Sequence, residues 1–139
     1  MPEPFTHRVG IRYLEVDQQG VVFNMWYLAY FDDAMTAFLA ERGVPYDELT
    51  AAGYDVQLVH TELDWQGSLR WGDEALVDVS VATLGRTSFT LQFEVHAGDG
   101  SPVATASTVY VVIALDGSGK QEVPPSLRTA LEPAQPAVT

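Results

Sequence analysis

The amino-acid sequence predicts an α+β fold, a five-stranded antiparallel sheet wrapped around one long central helix. Three observations carry this prediction. Residues 24–42 repeat apolar side chains at intervals of three and four. Residues 54–115 alternate apolar and polar side chains, and glycine-bearing turns divide that region into hairpins.

Residues 7–15 read as a half-buried first strand, with Val9, Ile11 and Tyr13 on one face and Arg8, Gly10 and Arg12 on the other. Residues 16–20 read as a loop. The helix follows over 24–42, where Tyr27, Tyr30, Phe31, Ala34, Phe38 and Leu39 form one stripe. Asn24 is placed to cap its start, and Gly43 with Pro45 stops it. Residues 46–52 suit one or two helical turns. Four strands then follow. Their faces are marked by Val59, Leu63 and Trp65, by Ala75, Val77, Val79 and Val81, by Phe89, Leu91, Phe93 and Val95, and by Val103 through Leu115. Gly85-Arg86 and Gly98-Asp99-Gly100-Ser101 supply the turns. Pro124 and Pro125 end the sheet, and residues 125–131 suit a short last helix. A single domain over 1–131 is expected, with 132–139 a flexible tail rich in proline and small residues. A sheet with open edges also invites pairing with a second subunit.

The formal net charge is −12, a balance that repels phosphate backbones and argues against nucleic acid as partner. The chain contains no cysteine, which removes disulfides and thiolate chemistry. No apolar run is long enough for a membrane span, and the first residues lack a basic-then-apolar leader, so a cytoplasmic location is expected. His7, His60 and His96 stand too far apart for a metal-ligand spacing, so neither a metal nor another cofactor is expected. No Gly-x-Ser-x-Gly elbow, Walker loop or dinucleotide fingerprint is present.

The stretch that carries chemistry runs from Tyr13 to Tyr27. Asp17 sits in a loop seven residues before the expected start of the helix. The first backbone N–H groups of a helix lack intrahelical partners and the dipole makes that end positive, so it can hold a carbonyl oxygen as it becomes an oxyanion. A carboxylate facing it can attack the carbonyl or activate a water. Gly20 would let the backbone approach a ligand closely. Spacing alone also fits a helix cap or a solvated charge.

Asp17, Gly20, Val21, Val22 and Phe23, then Tyr27, Leu28, Tyr30 and Phe31, resemble the motif of the 4-hydroxybenzoyl-CoA thioesterase family of hotdog proteins. Gly72-Asp73 and Gly85-Arg86-Thr87-Ser88-Phe89 extend the likeness across roughly residues 5–131. The resemblance implies a hotdog fold and hydrolysis of an acyl-CoA to free acid and CoA. It implies Asp17 as nucleophile or general base, and a backbone N–H near Asn24 as the donor that polarises the thioester. It implies no cofactor, and an active site at the interface of a homodimer, which can pair again into a tetramer.

Other residues fit that reading less firmly. Gly20, Val22, Phe23 and Tyr27 would surround the acyl group. Asp32 either reaches a polar acyl group or is a solvated helix charge. His60 either lines the pocket of a neighbouring subunit or lies on the surface, and Arg86 is the only cation at its hairpin. Glu15 is expected to point to solvent. Two other functions remain open: a non-catalytic hotdog protein that binds an acyl thioester, and a thioesterase acting on an acyl-carrier protein. A hydratase would need a coupled acid–base pair, which the spacing does not offer.

Overall fold

A computed structural model describes residues 5–132 of the chain. The elements are β1 (Phe5–Gly10), a 3-10 turn at Tyr13–Glu15, α1 (Trp26–Glu41), α2 (Tyr46–Ala51), β2 (Tyr54–Trp65), β3 (Glu74–Leu84), β4 (Ser88–Ala97), β5 (Pro102–Ala114) and α3 (Pro125–Leu131). The expected flexible tail beyond residue 132 lies outside the described residues.

The strands form one antiparallel sheet in the order β1-β3-β4-β5-β2. Hairpins join β3 to β4 and β4 to β5, as the turn sequences predict. β1 and β2 are the two edges. β2 returns across the sheet to pair with β5, which gives Thr61 opposite Thr108 and Leu63 opposite Ala106. The expected face of β2 slips at its start. A bulge between Leu58 and His60 offsets the alternation there, so Leu58 rather than Val59 pairs opposite inward-facing Tyr110.

Among the described residues two short helices accompany α1, where helical turns over 46–52 and a short helix over 125–131 are expected. α1 is 16 residues long, whereas α2 and α3 are 6 and 7. The stripe of α1 is buried as its spacing requires, with Tyr27, Tyr30, Phe31, Ala34, Met35, Phe38 and Leu39 all inside. Phe31 stacks on Phe93 of β4 with ring centroids 4.8 Å apart, and Phe38 meets the edge of Phe5 at 5.7 Å. Phe89 and Tyr110 stack at 5.3 Å across β4 and β5. These aromatic contacts fix the height of α1 above the sheet. The helix closes at Gly43, where the Val44 N–H donates to the Leu39 carbonyl at 2.8 Å. α3 is tied down by arginines: Arg128 donates to the Gly85 carbonyl at 2.8 Å and Arg42 to the Ala130 carbonyl at 2.7 Å.

The first strand is shorter than its alternation suggests. Glu15 draws the chain out of the sheet by accepting from the Arg12 backbone N–H at 3.1 Å and from Arg12 Nε at 2.7 Å, which winds Tyr13–Glu15 into a turn. Tyr13, expected on the buried face, is therefore 71% exposed. Among the described residues, no helix is long and apolar enough to cross a membrane.

Candidate active site

Asp17 stands at the tip of a narrow loop. An isolated bridge pairs Val16 with Val22, the Asp17 N–H donates to the Val21 carbonyl at 2.9 Å, and the Gly20 N–H donates to the Asp17 carbonyl at 2.9 Å. Gly20 adopts φ +79°, a left-handed conformation that a side chain strains, which explains a glycine at this tip. Asp17 Oδ1 accepts from the Gln19 N–H at 2.8 Å, an Asx turn that orients the carboxylate. Asp17 itself is half-buried.

Two anchors hold the loop. The Val22 N–H donates to the Leu69 carbonyl at 2.8 Å, and Leu69 is fully buried. On the other side Glu15, only 3% exposed, accepts from Tyr30 Oη of α1 at 2.8 Å while it holds Arg12. The Glu15 carbonyl also accepts from the Phe23 N–H at 2.9 Å. Glu15 thus does not point to solvent as expected; it links the base of the loop to the helix. Its burial acts first and by itself raises its pKa, but the bonds from Arg12 and Tyr30 outweigh it and hold the carboxyl below its ordinary value. The same contact and burial push the Tyr30 phenol well up.

The helix begins at Trp26, with Met25 at the cap position and no side-chain capping bond. Asn24 is not the cap the sequence predicts. It lies in the turn before the helix, where its carbonyl accepts from the Tyr27 N–H at 3.3 Å. The N–H groups of Phe23, Trp26, Tyr27 and Leu28 all donate to backbone carbonyls, whereas those of Asn24 and Met25 donate to none among the described residues. Two backbone donors are therefore left over where the chain enters the helix.

Asp17 and this entry share one pocket of about 590 Å³, lined also by Val22, Phe23, Tyr27 and Trp65. Val22 and Tyr27 are buried, Phe23 is partly exposed, and Tyr27 packs edge-on against Tyr30 at 5.6 Å and Trp65 at 6.0 Å. Burial pushes the Tyr27 phenol up to about 12, so it stays protonated at neutral pH. The floor was not visible as a site in the sequence. It is the end of β2 and the segment after it, where Gly67 donates to the Val103 carbonyl at 3.0 Å. A Cβ on Gly67 would lie 2.9 Å from the Pro102 carbonyl oxygen, so only glycine lets this segment close on β5.

Four expected binding residues lie outside this pocket: Gly20, which borders the other side of the loop, and Asp32, His60 and Arg86. Asp32 is on α1 and exposed, with its carboxyl pKa raised by partial burial first, then by the charges of Asp33 and Asp55. His60 is on β2 opposite Val109, on the sheet face turned away from α1, and contacts Glu62 at 3.2 Å. Arg86 pairs with Glu122 at 3.0 Å in solvent. Neither Asp32, His60 nor Arg86 lines the Asp17 pocket within this one chain. His96, unremarkable in sequence, is brought by cross-strand register beside Asp78 and Glu94, their ligand atoms within 4.8 Å of one another. That cluster lies on the outer face of the sheet, where His96 bonds Asp78 at 3.0 Å and Thr6 bonds the other Asp78 oxygen.

A carboxylate and an unpaired backbone donor lining one pocket are equipment for acyl transfer. Comparison with known proteins gives the class. Residues 11–131 match the thioesterase-like superfamily. The chain belongs to that superfamily, with a hotdog-like fold, and it is a thioester hydrolase.

Among curated relatives it is similar to a 1,4-dihydroxy-2-naphthoyl-CoA hydrolase of Synechococcus elongatus, 27% identical over 124 residues, which cover 88% of this chain and 90% of that one. Among solved structures, a hypothetical protein of Aquifex aeolicus superposes with a TM-score of 0.87 at 27% identity over 93% of this chain and all (100%) of that one. A 1,4-dihydroxy-2-naphthoyl-CoA thioesterase of Synechocystis has a TM-score of 0.83 at 23% identity over 93% of this chain and 96% of that one, a likeness of fold.

Proposed function

We propose that this protein hydrolyses an acyl-CoA to the free acid and CoA, with Asp17 as the reacting carboxylate. The observation that carries the reading is the shared pocket, lined by both Asp17 and Asn24, whose backbone N–H is unpaired among the described residues. In this reading the thioester carbonyl oxygen accepts from the Asn24 N–H, so that the charge of the tetrahedral intermediate gathers at the helix entry. As general base, Asp17 takes a proton from water while the water oxygen bonds to the carbonyl carbon. The C–S bond then breaks, and the proton leaves with the thiol. As nucleophile, Asp17 bonds to the carbonyl carbon, the C–S bond breaks and the thiolate leaves; water then opens the mixed anhydride to the acid and the Asp17 carboxylate, and the proton it gives up goes to the thiolate.

Gly20, Val22, Phe23 and Tyr27 would seat the thioester and the acyl group, with Trp65 as floor. The curated relative named for a dihydroxynaphthoyl-CoA supports a hydroxylated aromatic acyl group, and Asp32 is a helix acid that could accept from such a hydroxyl. The narrower likeness to 4-hydroxybenzoyl-CoA thioesterases belongs to the same proposal. So does a cytoplasmic homodimer or dimer of dimers, in which Asp32, His60 and Arg86, apart from the pocket in one chain, would meet it across an interface.

Thiol release from a panel of short, long and aromatic acyl-CoAs tests the reaction, with Asp17→Asn in parallel. Asparagine keeps the acceptor for the Gln19 N–H, so the loop should persist. The expected result is turnover by the wild type and a loss of about a hundredfold or more in the variant. Variant turnover within a few-fold of wild type would remove Asp17 from the chemistry. Activity confined to acyl-carrier thioesters would replace CoA as the substrate.

A further inference from the structure

The Asp17 loop has a second side. Beyond its crest a groove of about 750 Å³ is lined by Tyr13, Leu14, Val16, Asp17, Gln18 and Gly20, so Asp17 and Gln18 border both this groove and the pocket facing α1. Tyr13 of that lining is one half of an exposed aromatic pair. Tyr13 and Trp71 meet edge to face at 5.4 Å, yet remain 71% and 64% exposed. Arg70 precedes Trp71 in the chain, and its Nη1 would lie 3.7 Å from a Cβ placed on Gly20, a lining residue of the groove.

Arg70 is unusual in a chain so acidic. Among the described residues the other arginine side chains are engaged. Arg8 bonds Glu74, Arg12 bonds Glu15, Arg86 bonds Glu122, Arg42 bonds the carbonyls of Ala130 and Glu132, and Arg128 bonds that of Gly85. Arg70 bonds only through its backbone: its N–H donates to Asp73 Oδ2 at 2.8 Å and its carbonyl accepts from the Asp73 N–H at 3.0 Å. Asp73 therefore fixes the turn without neutralising the guanidinium. The turn is pinned again where the Ile11 N–H donates to the Asp73 carbonyl at 3.0 Å. A free cation on a rigid mount, next to flat exposed rings, matches a ligand that carries both phosphate and a purine.

We propose that this groove binds the nucleotide end of the CoA thioester, with Arg70 holding a phosphate and the Tyr13–Trp71 pair stacking the adenine. The inference rests on the acyl-CoA reading above. The acyl group then occupies the pocket of Tyr27 and Trp65, the pantetheine arm crosses the Asp17–Gly20 crest, and the nucleotide lies beyond it. Net charge −12 disfavours CoA over most of the surface, so a single local cation has a large share in orienting it.

The test compares one acyl group presented as CoA, 4′-phosphopantetheine and N-acetylcysteamine thioesters, with wild type, Arg70→Gln and Trp71→Ala. Arg70→Gln should lower the CoA-to-N-acetylcysteamine ratio of kcat/KM by about tenfold, chiefly through KM. Trp71→Ala should lower the CoA-to-phosphopantetheine ratio, since only CoA carries adenine. Ratios unchanged in both variants would overturn the inference while leaving the hydrolase reading intact. A wild type that cleaves none of the three thioesters would instead overturn that reading. Sedimentation of each variant completes the test: loss of a subunit would assign the Tyr13–Trp71 surface to an interface between copies of this chain, and so against CoA.

Discussion

Glu15 is the residue on which the geometry of the Asp17 loop depends. A carboxylate 3% exposed would be costly without partners, and it has three bonds, from the Arg12 backbone, Arg12 Nε and Tyr30 Oη. Glu15→Gln weakens those bonds and should destabilise the fold by about 1–3 kcal/mol. The pH dependence follows from its lowered pKa. A carboxyl whose folded pKa is depressed contributes stability that is fully present above the unfolded value and is lost as pH falls through the folded one. Wild type should therefore lose thermal stability as pH drops below its ordinary 4.5, and Glu15→Gln should lose less over the same interval. Circular dichroism melts at neutral and acid pH check this. Parallel acid limbs for the two proteins would show that Glu15 does not supply the linkage. Glu15 also illustrates what a single sequence hides. Two residues from Asp17 in a polar stretch, it reads as a solvated charge, and only Tyr30, fifteen positions on, makes it an interior one.

At the scale of elements, α1 positions the helix entry, and its own position is set by aromatic stacking on the sheet. Phe31 and Phe93 stack with their planes 22° apart and 4.8 Å between centroids, and both are buried. Phe31→Ala leaves a cavity between helix and β4 and should cost about 3–5 kcal/mol. Denaturant unfolding measures that loss; a change under 1 kcal/mol, roughly the scale of a surface substitution, would mean that α1 is held by something else. The helix stripe and β4 alternation were legible because each follows from a fixed backbone period. The end of β1 and the start of α1 were not. Val9, Ile11 and Tyr13 continue the strand pattern, but Glu15 folds the chain into a turn where the period cannot show it. Asn24 has capping chemistry, yet the chain enters α1 two residues later and the cap position falls on Met25.

At the scale of the molecule, the sheet ends on a long edge. β2 is 12 residues and carries Leu58 at 46% and Val59 at 52% exposure beside its bulge. A long edge strand with exposed apolar side chains favours pairing with another such edge. Wild type should sediment as a dimer or larger, and Leu58→Lys with Val59→Lys should shift it toward monomer. If the acyl pocket is completed across subunits, hydrolysis should fall with the dimer; a fully active monomer would place the whole site in one chain.

Fold class, strand order along the chain and Asp17 as the candidate carboxylate are legible in the sequence by itself. Periodicity reports which face of an element is buried, and the Asp17–Tyr27 stretch is contiguous. The tertiary structure decided what surrounds that carboxylate. Trp65 and Gly67 reach the pocket floor because β2 pairs with β5 at the far edge, and Arg70 reaches Gly20 because the Val22 N–H bonds the Leu69 carbonyl. These are pairings between segments some forty residues or more apart, fixed by backbone hydrogen bonds that side-chain pattern does not encode.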